Sequence, residues 1–114
     1  MIVATDVSEL IGRTPMLELN KLFADSPCRV LAKLECFNPT SIKDRAVLGM
    51  IRAAIAQGKI TPDIEVVEAS SGNAAIALAS LGATLGFKAR LYMSELCGIE
   101  RKQLICAYGA KVIL

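Results

Sequence analysis

EVVEASSGNAAIALASLGATLGFKARLYM, the stretch from Glu65 to Met93, is the part of this chain from which the fold can be read. It opens on a short β-branched segment, Glu65 to Glu68, that reads as a strand. Ser70 or Ser71 then stands where a helix cap is wanted. The alanine-rich run behind it continues to Leu85 and meets Gly86, a residue suited to the left-handed conformation that closes helices. Ala89 to Met93 reads as the next strand. A strand, a helix and a second strand within so few residues is a parallel crossover unit.

The same grammar extends in both directions. Toward the C-terminus, Ile99 to Tyr108 reads as a helix stopped by Gly109, and Val112 to Leu114 as a strand. Toward the N-terminus, Ser41 can cap a helix that runs to about Gln57, with Gly58 as its left-handed stop. Asn38-Pro39-Thr40 is a turn cluster. Residues 29 to 35 alternate as a strand, with Val30, Ala32 and Leu34 on one side. Thr14-Pro15 starts an extended segment through Leu19, behind a helical turn from Ser8 to Ile11 that ends at Gly12. Strands alternating with helices predict an α/β fold, a parallel sheet flanked by helices in three layers, joined by right-handed crossovers. The strand at 29–35 is expected to lead that sheet. In such sheets ligands sit at the carboxyl ends of strands, which points to residues 37–45 and 68–75.

Bulk properties narrow the function classes. The 114 residues are 54% hydrophobic and 21% charged, with a mean hydropathy of +0.49. A domain this small cannot hide so much apolar surface alone, so exposed patches for a second subunit or for further chain are expected. The closing residues, Lys111 to Leu114, read as a strand with no turn or helix stop behind it, and the expectation is a truncated protein. A formal charge of +2 from scattered basic residues offers no phosphate-backbone footprint, so nucleic acid is not an expected partner. Cysteines at 28, 36, 97 and 106 have no C-x-x-C spacing and the chain has no histidine. Neither a zinc site nor any other metal is expected, and free thiols in a reducing cytoplasm are the expected state. No secretory leader is expected, because Asp6 and Glu9 interrupt the opening residues. Residues 69 to 87 carry no charge, but serines, Thr84, Gly72 and Asn73 break the run, and a buried helix is expected there rather than a membrane span.

Within the first candidate loop, Lys43 falls in the opening turn of a helix, where a cation is slightly unfavourable. One reading is a solvated lysine balanced by Asp44. The other is an amine that attacks an aldehyde as the free base. In the second loop, Ser70, Ser71, Gly72 and Asn73 bring hydroxyls and free backbone N–H groups to a helix start, which suits a carboxylate. Gly72 would let the backbone approach such a ligand closely. A plain serine cap is the alternative there.

Four ordered segments resemble a known family. Ile11-Gly12-Arg13-Thr14-Pro15-Met16 is similar to the I-G-N-T-P-L opening of cysteine synthases, cystathionine β-synthases and their relatives. Lys33 to Arg45, K-L-E-C-F-N-P-T-S-I-K-D-R, resembles their K-L-E-x-x-N-P-x-G-S-x-K-D-R lysine segment. Glu68 to Asn73 resembles their E-P-T-S-G-N loop. Glu100-Arg101-Lys102 and Ala107-Tyr108-Gly109-Ala110 match their later E-R-R and A-x-G-A elements.

The resemblance implies the fold type II, tryptophan synthase β-like architecture and the cofactor pyridoxal 5'-phosphate. It implies that Lys43 holds the cofactor and takes the substrate Cα proton. Asn73 would hydrogen-bond the ring's phenolic oxygen, and Ser70, Ser71, Gly72 and Asn73 would hold the amino-acid carboxylate. The implied reaction is β-replacement on an O-activated serine by a nucleophile such as sulfide, in a cytoplasmic enzyme that is homodimeric when complete. Residues 1–114 would be its amino-terminal part, with the phosphate-binding glycine-rich loop and second domain lying beyond Leu114; the segment alone is expected to bind cofactor poorly and to be inactive.

Departures from the pattern leave other readings open. No glycine precedes Ser41, Ala74 stands where threonine is common, and Ala69 and Ser94 replace prolines. Gly98 replaces a serine. A diaminopropionate-forming enzyme, a serine or threonine dehydratase, and a non-catalytic remnant or interaction module are the alternatives.

Overall fold

The computed structural model describes residues 3–114. A 3-10 turn at Val7–Leu10 leads into β1, Met16–Glu18. Strand β2, Leu31–Lys33, pairs with β1 antiparallel, Met16 opposite Lys33 and Glu18 opposite Leu31. Helix α1 spans Lys43–Ala56, β3 Glu65–Ala69 and α2 Asn73–Leu85. Strand β4, Lys88–Tyr92, helix α3, Ile99–Ala107, and strand β5, Lys111–Ile113, complete the described chain.

Strands β3, β4 and β5 form a parallel sheet in that order, with Glu68 beside Leu91 and Leu91 beside Val112. The expected α/β architecture is present, with one correction. The strand within residues 29–35 does not lead the parallel sheet; it belongs to a separate two-stranded ribbon with β1. A turn over residues 19–26 folds the chain back, Phe23 N donating to Leu19 O at 3.0 Å and Ser26 N to Phe23 O at 3.0 Å. Antiparallel pairing then needs only that local reversal. The burial pattern agrees, since Val30, Ala32 and Leu34 are half-buried while Leu31 and Lys33 are exposed. One-sided burial suits a ribbon, whereas a central parallel strand is covered on both faces.

Successive right-handed crossovers in the order β3, β4, β5 put α2 and α3 on the same face of the sheet, and α1 packs beside α2. Helix α2 is therefore hemmed in by α1, α3, β4 and the N-terminal turn, which is why its side chains are small. Ala75, Ala77 and Ala79 are buried in it with Leu78, Ser80 and Leu81. At Gly82 a Cβ would sit 3.0 Å from the Phe87 carbonyl oxygen, so a side chain there would require that backbone to give by a few tenths of an ångström. Leu81, Leu91 and Ile105 are the large apolar side chains buried completely at the centre, each contributing roughly 1.5–3 kcal/mol by leaving water. At 13 residues α2 is too short to cross a bilayer, and among the described residues no helix is long and apolar enough to do so.

The helix stops follow the glycines. Gly58 has φ +67°, its N–H reaches Ile55 O at 2.9 Å, and Lys59 N reaches Ala54 O at 2.9 Å. Gly109, with φ +84°, closes α3 by the same pair of bonds, to Cys106 O and from Ala110 N to Ile105 O. These are Schellman closures, and they require the left-handed backbone that glycine adopts without penalty.

Cavities record how α1 and α2 are aligned. One of about 180 Å³ is lined by Val47, Met50 and Ile51 from the middle of α1, Ala74 and Leu78 from the first half of α2, and β3 residues through Glu68. Another of about 160 Å³ lies between Ile55, near the end of α1, and Leu85 to Phe87 at the end of α2. The two helices thus run side by side in the same direction. Their N-termini lie together at the carboxyl edge of the sheet.

Candidate active site

Lys43 is the first residue of α1, one turn before the Val47 that lines the 180 Å³ cavity. It is exposed, and among the described residues its ammonium makes no hydrogen bond or ion pair. The reading in which Asp44 balances it is overturned. Asp44 is only 2% exposed and its carboxylate is turned back onto the preceding loop. It accepts from Thr40 N at 2.7 Å, from Ser41 N at 3.2 Å, and from the Thr40 hydroxyl. Ser41 answers by accepting from Lys43 N at 3.1 Å through its hydroxyl. The cap position is Ile42, which has no side-chain cap bond, so Ser41 does not cap α1 as expected; it and Asp44 instead close the turn just ahead of the helix by exchanging bonds. The turn closes without the glycine found in the resembled pattern.

A second network locks this helix start onto the ribbon. Arg45 makes a two-pronged pair with Glu35, at 2.8 and 3.0 Å, and also donates to the Thr14 hydroxyl at 3.0 Å. Thr14 donates to Glu35 at 2.9 Å, and the Asn38 amide donates to Glu35 at 2.7 Å. Asn38, itself buried, accepts from Gly12 N at 2.9 Å. Lys33 adds a bond to the Thr14 carbonyl oxygen. The Arg45 guanidinium, reinforced by Thr14 and Asn38, holds the Glu35 carboxyl down at about 2. Charge-assisted, two-pronged pairing fixes direction as well as distance, so the residue pair bracketing the turn orients the start of α1.

The second loop is built differently from the sequence expectation. Neither serine caps α2: the cap is Gly72, with extended backbone and no side-chain cap bond. The Ser70 hydroxyl accepts from Gly72 N at 3.3 Å, and the Ser71 hydroxyl accepts from Ser94 N at 3.0 Å, across the carboxyl edge of the sheet. A long-range partner has taken the oxygen that a local cap would have used. Consequently the N–H groups of Asn73 and Ala74 have no acceptor among the described residues, and the Asn73 side chain is exposed without a partner. Gly72 has nothing within 4 Å of where a Cβ would stand, so open space lies in front of the loop. Unpaired N–H groups at a helix start, together with hydroxyls, form an anion-receptive surface. Ala74 is half-buried and lines the apolar cavity between α1 and α2, so no hydroxyl is offered there.

The structure thus brings Lys43 and the Ser70–Asn73 loop to one edge of one sheet, each at the beginning of a helix. The family model described as "Pyridoxal-phosphate dependent enzyme" matches residues 7–114. The chain belongs to this family. Members of the pyridoxal-phosphate dependent enzyme family similar to it include a probable cysteine synthase of Bacillus subtilis (strain 168), 42% identical over 113 residues, covering 98% of this chain and 36% of the relative. Among solved structures, a hydrogen sulfide-producing enzyme from Fusobacterium nucleatum superposes with a TM-score of 0.92 at 40% identity, over 100% of this chain and 38% of that one. The O-acetylserine sulfhydrylase isoform 3 of Entamoeba histolytica superposes with a TM-score of 0.91 at 37% identity, over 99% of this chain and 35% of that one. The chain therefore spans a little over a third of the length of the relatives it matches, and the tryptophan synthase β-like fold of the family holds throughout the segment.

The residues present suit the family's cofactor. An unpaired primary amine is what an aldehyde needs, and free N–H groups with an unpaired amide are what a phenolate or carboxylate needs. Sequence reasoning passed over the supporting cast. Glu35 and Asn38 are legible as strand and turn residues and Arg45 as a motif letter, but nothing local shows that the three form one network, or that Ser94, Cys97 and Arg101 reach Ser71.

Proposed function

We propose that this segment supplies the lysine and the carboxylate cradle of a β-replacement enzyme of the cysteine synthase type, acting on an O-activated serine such as O-acetylserine. The observation that carries the reading is the shared position of an unpaired amine and an anion-receptive loop at neighbouring helix starts. Relatives named cysteine synthase and O-acetylserine sulfhydrylase support the choice of substrate. Residues 1–114 would form the amino-terminal part of the enzyme, with the rest of the site contributed by a second domain. Homodimeric assembly and a cytoplasmic location belong to the same proposal.

Pyridoxal phosphate, when bound, supplies an electron-withdrawing ring that stabilises negative charge at the substrate Cα. Lys43 would hold the cofactor's aldehyde carbon and afterwards accept the proton from Cα. The Ser41–Asp44 exchange would keep that amine at the helix start while Asp44 remains engaged with Thr40 and Ser41. Asn73 would donate its side-chain N–H to the ring's phenolic oxygen. Ser70, Ser71, Gly72 and Asn73 would receive the α-carboxylate, orienting Cα and Cβ for loss of the leaving group and entry of sulfide.

Incubating the complete enzyme, of which this segment would be the amino-terminal part, with pyridoxal phosphate, O-acetyl-L-serine and sulfide tests the reading. Cysteine should form, and a visible-range cofactor band should be present in the native protein and missing from Lys43→Ala. Release of a 2-oxo acid at the same rate with and without sulfide would identify a dehydratase instead. A band of full intensity in Lys43→Ala would remove Lys43 from the cofactor site.

A further inference from the structure

Ser71 is held from one direction by a single segment of chain. Its hydroxyl oxygen accepts from Ser94 N at 3.0 Å, and its carbonyl oxygen accepts from the Cys97 thiol at 3.3 Å and from Arg101 Nη1 at 3.3 Å. The segment is itself folded: Cys97 N donates to Ser94 O at 3.0 Å, Leu96 N to the Ser94 hydroxyl at 3.2 Å, and Lys102 Nζ to Glu95 O at 3.0 Å. It bridges the end of β4 to the start of α3, so the loop after β3 is tied to the loop after β4 across the carboxyl edge of the sheet.

Two consequences follow from peptide geometry. The plane joining Ser71 to Gly72 is rigid and trans, so fixing its carbonyl toward Cys97 and Arg101 turns the Gly72 N–H the other way, where it meets the Ser70 hydroxyl. A hydroxyl has one proton to give and lone pairs to receive. With a lone pair of Ser71 occupied by Ser94 N–H, its proton remains available for a ligand. The loop is therefore set in shape before anything binds, which lowers the ordering cost of binding. The Ser94 bond also depends on residue identity, because the resembled motif has proline there, and proline has no N–H to donate.

We propose that Ser94, Cys97 and Arg101 are positioning residues that pre-set the Ser70–Asn73 cradle for an α-amino-acid carboxylate, so that they govern amino-acid affinity and not cofactor attachment. This deepens the proposed function and rests on it.

The test uses the complete, cofactor-loaded enzyme and L-alanine, an amino acid with a carboxylate and no leaving group, titrated by the change in cofactor absorbance. Ser94→Pro, which deletes the N–H, and Arg101→Ala should each raise the alanine dissociation constant about five- to tenfold, the loss of one ordinary hydrogen bond. Ser94→Ala, which keeps the N–H, and Cys97→Ser, which keeps a donor, should stay within about twofold. The unliganded cofactor spectrum should match the native one in all four. Salt should leave the Arg101→Ala ratio unchanged, because a bond to a carbonyl is not long-range attraction between charges. Native affinity in Ser94→Pro and Arg101→Ala would overturn the inference, as would equal losses in Ser94→Ala and Ser94→Pro. A cofactor band that survives Lys43→Ala would strike instead at the underlying function, so the two failures are distinguishable.

Discussion

Lys43 and Asp44 are adjacent, both charged and both in the first turn of α1, yet their removal should have very unequal consequences for stability. Asp44→Ala deletes three accepted bonds, from Thr40 N, Ser41 N and the Thr40 hydroxyl. Bonds to a charged group contribute about 1.5–3 kcal/mol when the donors are left dry. Thr40 and Ser41 are only half-buried, so water can replace part of each, and about 1 kcal/mol per bond is the working value. The total is about 3 kcal/mol, roughly a hundredfold in the folded-to-unfolded ratio. Lys43→Ala removes an exposed side chain without a partner from a position where the helix dipole disfavours it. It should change stability by less than about 0.5 kcal/mol, in either direction. Urea unfolding of the cofactor-free protein, followed by far-UV circular dichroism, measures both without the stabilisation that ligand binding adds. At a slope of about 2 kcal/mol per molar, Asp44→Ala should lower the midpoint by about 1.5 M. Equal losses in the two variants, or a larger one in Lys43→Ala, would refute the assignment of Asp44 to structure and of Lys43 to chemistry.

Other consequences are checked as directly. Because Glu35 is held down to about 2 in the folded chain from an ordinary 4.5, its contribution is complete above pH 4.5 and is lost as pH falls toward 2; Glu35→Gln should flatten that part of the acid-denaturation curve. Ile105→Ala, at a position with 0% exposure, should cost about 2–5 kcal/mol in a urea melt. Gly109→Ala forces a side chain into φ +84° and should cost about 1–2 kcal/mol by the same measurement.

What could be read from the sequence divides by the range of the interaction that decides it. The helix stops at Gly58, Gly86 and Gly109 were legible because a glycine's left-handed backbone is a local property, and all three have positive φ. The loop at 68–75 is legible because a strand-to-helix junction lies at the carboxyl edge of a parallel sheet by topology alone; the loop at 37–45 follows the ribbon strand β2 and reaches that edge because α1 runs alongside α2. The partner of the strand within residues 29–35 is not legible, since an alternating strand has the same pattern whichever partner it finds. The expected serine cap of α2 is absent because Ser71 is engaged by Ser94, 23 residues away, and propensity carries no record of that. The pairing of Lys43 with Asp44 failed for a related reason. Neighbours in sequence on a helix project in different directions, and Asp44 turned back to the loop it closes.

Trapping the cofactor on the protein addresses the central claim without relying on turnover. Borohydride reduction of the complete cofactor-loaded enzyme, freed of unbound pyridoxal phosphate, followed by peptide mapping, should leave the label on Lys43 and on no other lysine. A label on Lys33, Lys102 or another lysine with Lys43 unmodified would contradict the account.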